Sequence, residues 1–132
     1  VFSNYDFALA FGVCGEAPSA FEAFCFESLG RDISSFSMRN MSKIKNRCQL
    51  APVKYRNHCL SGAVKDLILN QADPLVGFAF CAKVEERAKE TCYAATGEVL
   101  LSLFPDRTRR ADLCQGAETS YRRVCLEASS VF

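Results

Sequence analysis

The sequence predicts an all-α fold, a short α-solenoid of four disulfide-stapled helix-turn-helix repeats, on three observations. Eight cysteines fall into four pairs, each pair 11 residues apart: Cys14 and Cys25, Cys48 and Cys59, Cys81 and Cys92, Cys114 and Cys125. The first members of the pairs recur every 33 or 34 residues, and a fixed period of that size marks supersecondary units that stack to bury a shared core. Apolar residues recur at spacings of three to five within each unit, and no stretch shows the strict alternation of a strand. One repeat domain is expected over residues 1–132, its units spanning approximately 1–34, 35–67, 68–101 and 102–132.

Each unit justifies its own elements. Eight residues before the first cysteine stand Asp6, Asn40, Asp73 and Asp106, whose side-chain oxygens suit a helix N-cap. In the third unit Pro74 follows the cap, where its missing N–H costs nothing. A short helix is therefore expected from the cap to about the first cysteine. Four residues beyond that cysteine come Pro18, Pro52, Glu85 and Glu118, residue types that suit a helix's first turn.

A longer second helix then reads through Phe21, Tyr55, Ala88 and Tyr121, the second cysteine, and Phe26, Leu60, Tyr93 and Leu126. Small residues share the next position (Ser28, Gly62, Ala95 and Ala128), where they permit close helix approach. Ile33, Leu67 and Leu100 close the apolar stripe. Gly30, Gly62 and Gly97 sit toward the ends of these helices, where a stop or a close contact suits them.

Periodicity reduces the possible cysteine pairings to two. Pairing within units uses every thiol; pairing between units, Cys25 with Cys48 and so on, orphans Cys14 and Cys125. The first scheme is preferred, and each loop of about eleven residues would then contribute roughly 2–3 kcal/mol in the chain-entropy model. Dense, evenly spaced cysteines point to an oxidising compartment, so the chain is expected to be secreted, extracellular or periplasmic. It opens on Val1 without a signal-peptide pattern, which reads as a processed or excised product.

Composition excludes several classes. Hydrophobic content of 49% with 11 Phe argues against disorder, and a net charge of +1 argues against a general polyanion binder; the expected compartment and the acidic first unit argue against nucleic acid. No apolar run reaches the roughly 18 residues of a membrane span. Zinc and dithiol redox sites want closer cysteine spacings than Cys-x10-Cys, so neither metal nor cofactor is expected. His58, the single histidine, adjoins Cys59, but a bridged cysteine cannot act as a thiolate. The glycines form no phosphate loop, and no catalytic residue is assigned: the chain reads as a non-enzyme.

Charge is uneven along the chain. The first unit carries Arg31 against Asp6, Glu16, Glu22, Glu27 and Asp32, for −4; the second carries seven Lys and Arg against Asp66, for +6. Within the second, Arg39, Lys43, Lys45 and Arg47 lie at helical spacing and form a candidate docking surface. Terminal repeats normally show a polar outer face. Here Phe2, Phe7, Phe11 and Phe132 make the ends aromatic, so a protein partner or further copies of the chain are expected there. A membrane surface is the less favoured partner.

The period, the hairpin and the cysteine pair together resemble, in architecture, the helical-hairpin repeats of the tetratricopeptide superfamily and its cysteine-rich exported relatives. That resemblance implies an interaction scaffold. Metal storage or redox chemistry on the paired cysteines and a lipid-binding helical module are the alternatives from other classes.

Overall fold

The computed structural model describes residues 6–132. Among them the fold is all-α: α1 Phe7–Gly15, α2 Ser19–Phe36, α3 Met41–Cys48, α4 Arg56–Gln71, α5 Pro74–Lys83, α6 Glu86–Leu103, α7 Arg107–Cys114 and α8 Arg122–Ala128. Short 3-10 turns, Val53–Tyr55 and Thr119–Tyr121, precede α4 and α8. Consecutive helices form four hairpins. The chain divides between Ala63 and Val64, inside α4, into two compact units.

The caps hold the first helix of every hairpin. Asp6, Asn40, Asp73 and Asp106 accept from the backbone N–H groups of Leu9, Lys43, Leu75 and Thr108 at 2.9–3.0 Å, satisfying donors that a helix start leaves unpaired. Pro18, Pro52, Glu85 and Glu118 stand one step earlier than expected. They are the N-caps of the second helical segments, in extended conformation and without a side-chain bond. Their carbonyls accept from Phe21, Tyr55, Ala88 and Tyr121 at 2.8–2.9 Å. In this role an extended ψ aims the carbonyl down the new helix, and proline gives up no useful donor.

All eight cysteines are bridged within their own hairpins, Cys14–Cys25, Cys48–Cys59, Cys81–Cys92 and Cys114–Cys125, with Cα–Cα separations of 5.5–5.7 Å. Each bridge ties the end of a first helix to the second turn of its partner, and most of the cysteines are buried.

In the first unit the backbones of α2 and α4 meet. A Cβ added at Gly30 would lie 1.9 Å from the Cys59 carbonyl oxygen, and one at Gly62 would lie 1.8 Å from that of Glu27. Beside this crossing Phe11, Phe26 and Tyr55 stack with centroids 5.7 and 4.2 Å apart, and the Tyr55 hydroxyl donates to Glu22. The glycines here are sites of contact, not of helix termination: Gly30 and Gly62 both lie well inside their helices.

The second unit repeats the scheme. Phe78, Tyr93 and Tyr121 stack at 6.3 and 5.1 Å, and a Cβ at Gly97 would lie 2.8 Å from both the Ala128 Cβ and the Cys125 carbonyl oxygen. Phe11, Phe26 and Gly30 correspond to Phe78, Tyr93 and Gly97; Tyr55 and Gly62 correspond to Tyr121 and Ala128. Arg56 and Arg122 each donate to the alanine carbonyl of the preceding turn, Ala51 and Ala117. The molecule is thus a duplicated pair of unlike hairpins, and the period of 33 residues overlies one of 66–67. Residues 64–71 of α4 also belong to the second unit: Ile68 faces Gly77, and Lys65 pairs with Glu98 at 2.8 Å.

Candidate interaction surface

The basic residues expected to form a docking surface in the second hairpin differ in exposure. Lys43 is exposed, whereas Arg39, Lys45 and Arg47 are half-buried. Arg47 donates to the Ser37 hydroxyl at 2.6 Å and its guanidinium lies 4.9 Å from the Phe36 ring centroid. Arg56 holds the Ala51 carbonyl at 3.0 Å, and Lys54 lies over the Tyr55 ring. Arg47, Arg56 and Lys54 therefore fix turns and cover aromatic faces, which is how long basic side chains commonly serve a small helical fold.

The aromatic residues also separate. Phe7 and Phe11, expected at an exposed end, are core instead, 5% and 1% exposed, because they share α1's inward face with Ala10 and Cys14. Phe7 meets Phe36 edge-on at 5.4 Å. Phe2 lies outside the described residues. Phe132 is exposed and stands 5.7 Å from the Arg123 guanidinium.

The backbone just before Phe132 is held closely: Arg107 Nε donates to the Val131 carbonyl at 2.7 Å, and Arg110 Nε to that of Ser129 at 2.8 Å. Arg110, itself buried, also reaches the Phe104 and Pro105 carbonyls. His58 is half-buried beside Tyr55, 6.1 Å between ring centroids, and its neighbour Cys59 is bridged.

A different surface emerges on the first hairpin. Leu9 and Val13 on α1 are 52% and 54% exposed, and Phe21 and Phe24 on α2 are 62% and 72% exposed. Phe26, Leu29, Gly30 and Ile33 turn inward, which leaves Phe21 and Phe24 on the opposite face at a three-residue spacing. Phe21, aligned by the repeat with Tyr55, Ala88 and Tyr121, is expected on the inward stripe and instead faces solvent. The third hairpin supplies the comparison, since the positions equivalent to Val13 and Phe21 are Phe80 and Ala88, 0% and 1% exposed. The signal was available as a contrast: Phe-Glu-Ala-Phe in one hairpin stands where the other has Ala-Lys-Glu-Thr.

The strongest polar cluster lies in the second unit. Glu118 accepts from Lys89 at 2.9 Å and from the Tyr93 hydroxyl at 2.7 Å, while Tyr121 donates to Glu86 at 3.0 Å. The hydrogen bonds from Lys89 and Tyr93 hold the Glu118 carboxyl below the usual carboxylate range. Lys89 is raised by its bond to Glu118, and Tyr93 is raised by burial and by the same carboxylate. Every donor here has a fixed acceptor across the two hairpins, so the cluster is a clamp between them.

Among the described residues no helix is long and apolar enough to cross a membrane. The chain matches no protein family, no curated protein and no solved structure.

Proposed function

We propose that the chain is an exported, non-catalytic helical-repeat scaffold that mediates protein–protein contacts, as an accessory or self-assembling subunit of a larger extracellular or periplasmic assembly. One observation carries this reading. The first hairpin exposes Val13 and Phe21 at the positions where the third hairpin buries Phe80 and Ala88. With Leu9 and Phe24 they put four large apolar side chains into solvent on one hairpin, and apolar exposure marks an interaction site where it forms a contiguous patch.

The paired sulfurs support the same reading over metal storage or thiol redox chemistry, because a disulfide offers neither a thiolate ligand nor a nucleophile. The staples and the glycine crossing hold the hairpins rigid, which lowers the ordering cost of docking. The test compares the intact protein with Phe21→Glu/Phe24→Glu by size-exclusion chromatography with light scattering, across dilution and salt. The expected result is a concentration-dependent assembly that the double variant loses while its helix content and melting stay unchanged. A monodisperse monomer for the wild type at every concentration would remove the self-assembling form of the proposal.

A further inference from the structure

We infer that Asn40, which opens the sequence Asn40-Met41-Ser42, carries an N-linked oligosaccharide. The inference rests on the export reading above, with a lumen that supplies a lipid-linked sugar donor. Asn-x-Ser with x other than Pro is the acceptor pattern for this modification, and it functions only where the asparagine is accessible. Asn40 and Ser42 are both exposed, and Met38, two residues before the asparagine, is 87% exposed. Met38 and Arg39 adopt positive φ, 54° and 58°, so the chain turns sharply there and presents Asn40 at the mouth of α3.

The geometry of the cap leaves the reactive atom free. Asn40 caps α3 through Oδ1, which accepts from the Lys43 N–H at 2.9 Å. Glycosylation uses the other atom of the amide. Nδ2 attacks the anomeric carbon of an oligosaccharide held on a lipid pyrophosphate, and the C1–Nδ2 bond forms. The C1–O bond to the pyrophosphate breaks with its electron pair, and one amide proton passes to a base of the transferase. No electron is gained or lost, and Oδ1 remains an acceptor, so the cap survives the modification.

A second observation comes from the repeat itself. The other three hairpins place Asp at this cap, at positions 6, 73 and 106. Asp and Asn cap about equally well, and a carboxylate gains further from the helix dipole. The second hairpin, with seven Lys and Arg against one Asp, is where that negative charge would be most favourable. It carries the neutral amide instead, with Ser42 two residues on; the fourth hairpin also has a hydroxyl at that distance, Thr108, but behind Asp106, so only the second completes the acceptor pattern. Asn46 and Asn57 are each followed at that distance by a cysteine, Cys48 and Cys59, committed to a disulfide. A glycan on Asn40 beside the exposed Lys43 would screen the start of α3.

Intact-mass and peptide mass spectrometry on the full chain, recovered from the secretory lumen or medium of the cells that make it, tests this. The expected result is a heavier chain whose added mass maps to Asn40, is released by peptide-N-glycosidase to leave Asp at position 40, and is absent in Ser42→Ala. Ser42→Ala keeps Asn40 and its cap, so its circular dichroism and four disulfides should match the wild type. A secreted chain with four disulfides and an unmodified Asn40 overturns this inference and leaves the export reading standing. Recovery only from the cytosol, with eight free thiols, overturns both.

Discussion

Replacing Gly30 with Ala sets two effects of opposite sign against each other. In a helix interior Ala is favoured over Gly by about 1 kcal/mol. The new Cβ, however, would stand 1.9 Å from the Cys59 carbonyl oxygen and 2.8 Å from its carbon. A relaxed carbon–oxygen contact is about 3.3 Å, so α2 and α4 must part by roughly 1.4 Å. The obstructing atoms are backbone and cannot rotate away. Overpacking of this kind costs about 1–3 kcal/mol, toward the upper end where backbone cannot yield, so the propensity gain is outweighed and the variant is up to about 2 kcal/mol less stable.

Gly12 is the internal control. It is helical and exposed, and a Cβ there meets nothing within 4 Å. Gly12→Ala is therefore expected to stabilise by about 0.5–1 kcal/mol. Urea unfolding followed by circular dichroism, with the disulfides intact, measures both. If Gly30→Ala unfolds at or above the wild-type midpoint, or if the two variants shift in the same direction, the backbone crossing is not where the structure puts it.

Two further perturbations probe the second unit. Arg110→Ala leaves the Ser129, Phe104 and Pro105 carbonyls without their charged donor and is expected to cost about 3 kcal/mol, with faster amide exchange over residues 129–131 as the local readout. For the Glu118 clamp, the folded carboxyl titrates below its ordinary value, so its contribution is present above about pH 4.5 and is lost as pH falls through the folded value. Lys89 is raised, so its contribution is present below about pH 10.5 and is lost as pH rises through the folded value. Denaturation midpoints across pH should fall at both edges, and Glu118→Gln should flatten both limbs; an unchanged profile would contradict the clamp.

The helix starts and the staples were legible because they are local and periodic. A cap such as Asp73 next to Pro74, or a cysteine repeated at eleven residues, declares its role without reference to any distant residue. The pairing of hairpins was less legible. Aligning four units in one register averaged Phe21 with Tyr55, Ala88 and Tyr121, whose surroundings differ: Phe21 faces solvent, Ala88 is buried, and the two tyrosines stack on Phe26 and Tyr93. Registering the chain on a double unit separates them.

Arg47 and Arg110 show a second kind of information missing from a sequence. A basic residue on a short helix reads as surface charge, yet the free carbonyls and aromatic faces of neighbouring turns claim it. Phe7 and Phe11 fail in the opposite direction. Their place near the start of the sequence suggested exposure, while the helical spacing with Ala10 and Cys14 turned them inward.

The central claim is that the chain is held by four local staples formed in an oxidising compartment. It is tested most directly by alkylating the native protein under denaturing conditions before any reduction, then identifying its cross-linked peptides by mass spectrometry. The account predicts no alkylated cysteine and four bridges, each joining cysteines 11 residues apart. Eight alkylated cysteines, or bridges such as Cys25–Cys48, would contradict it.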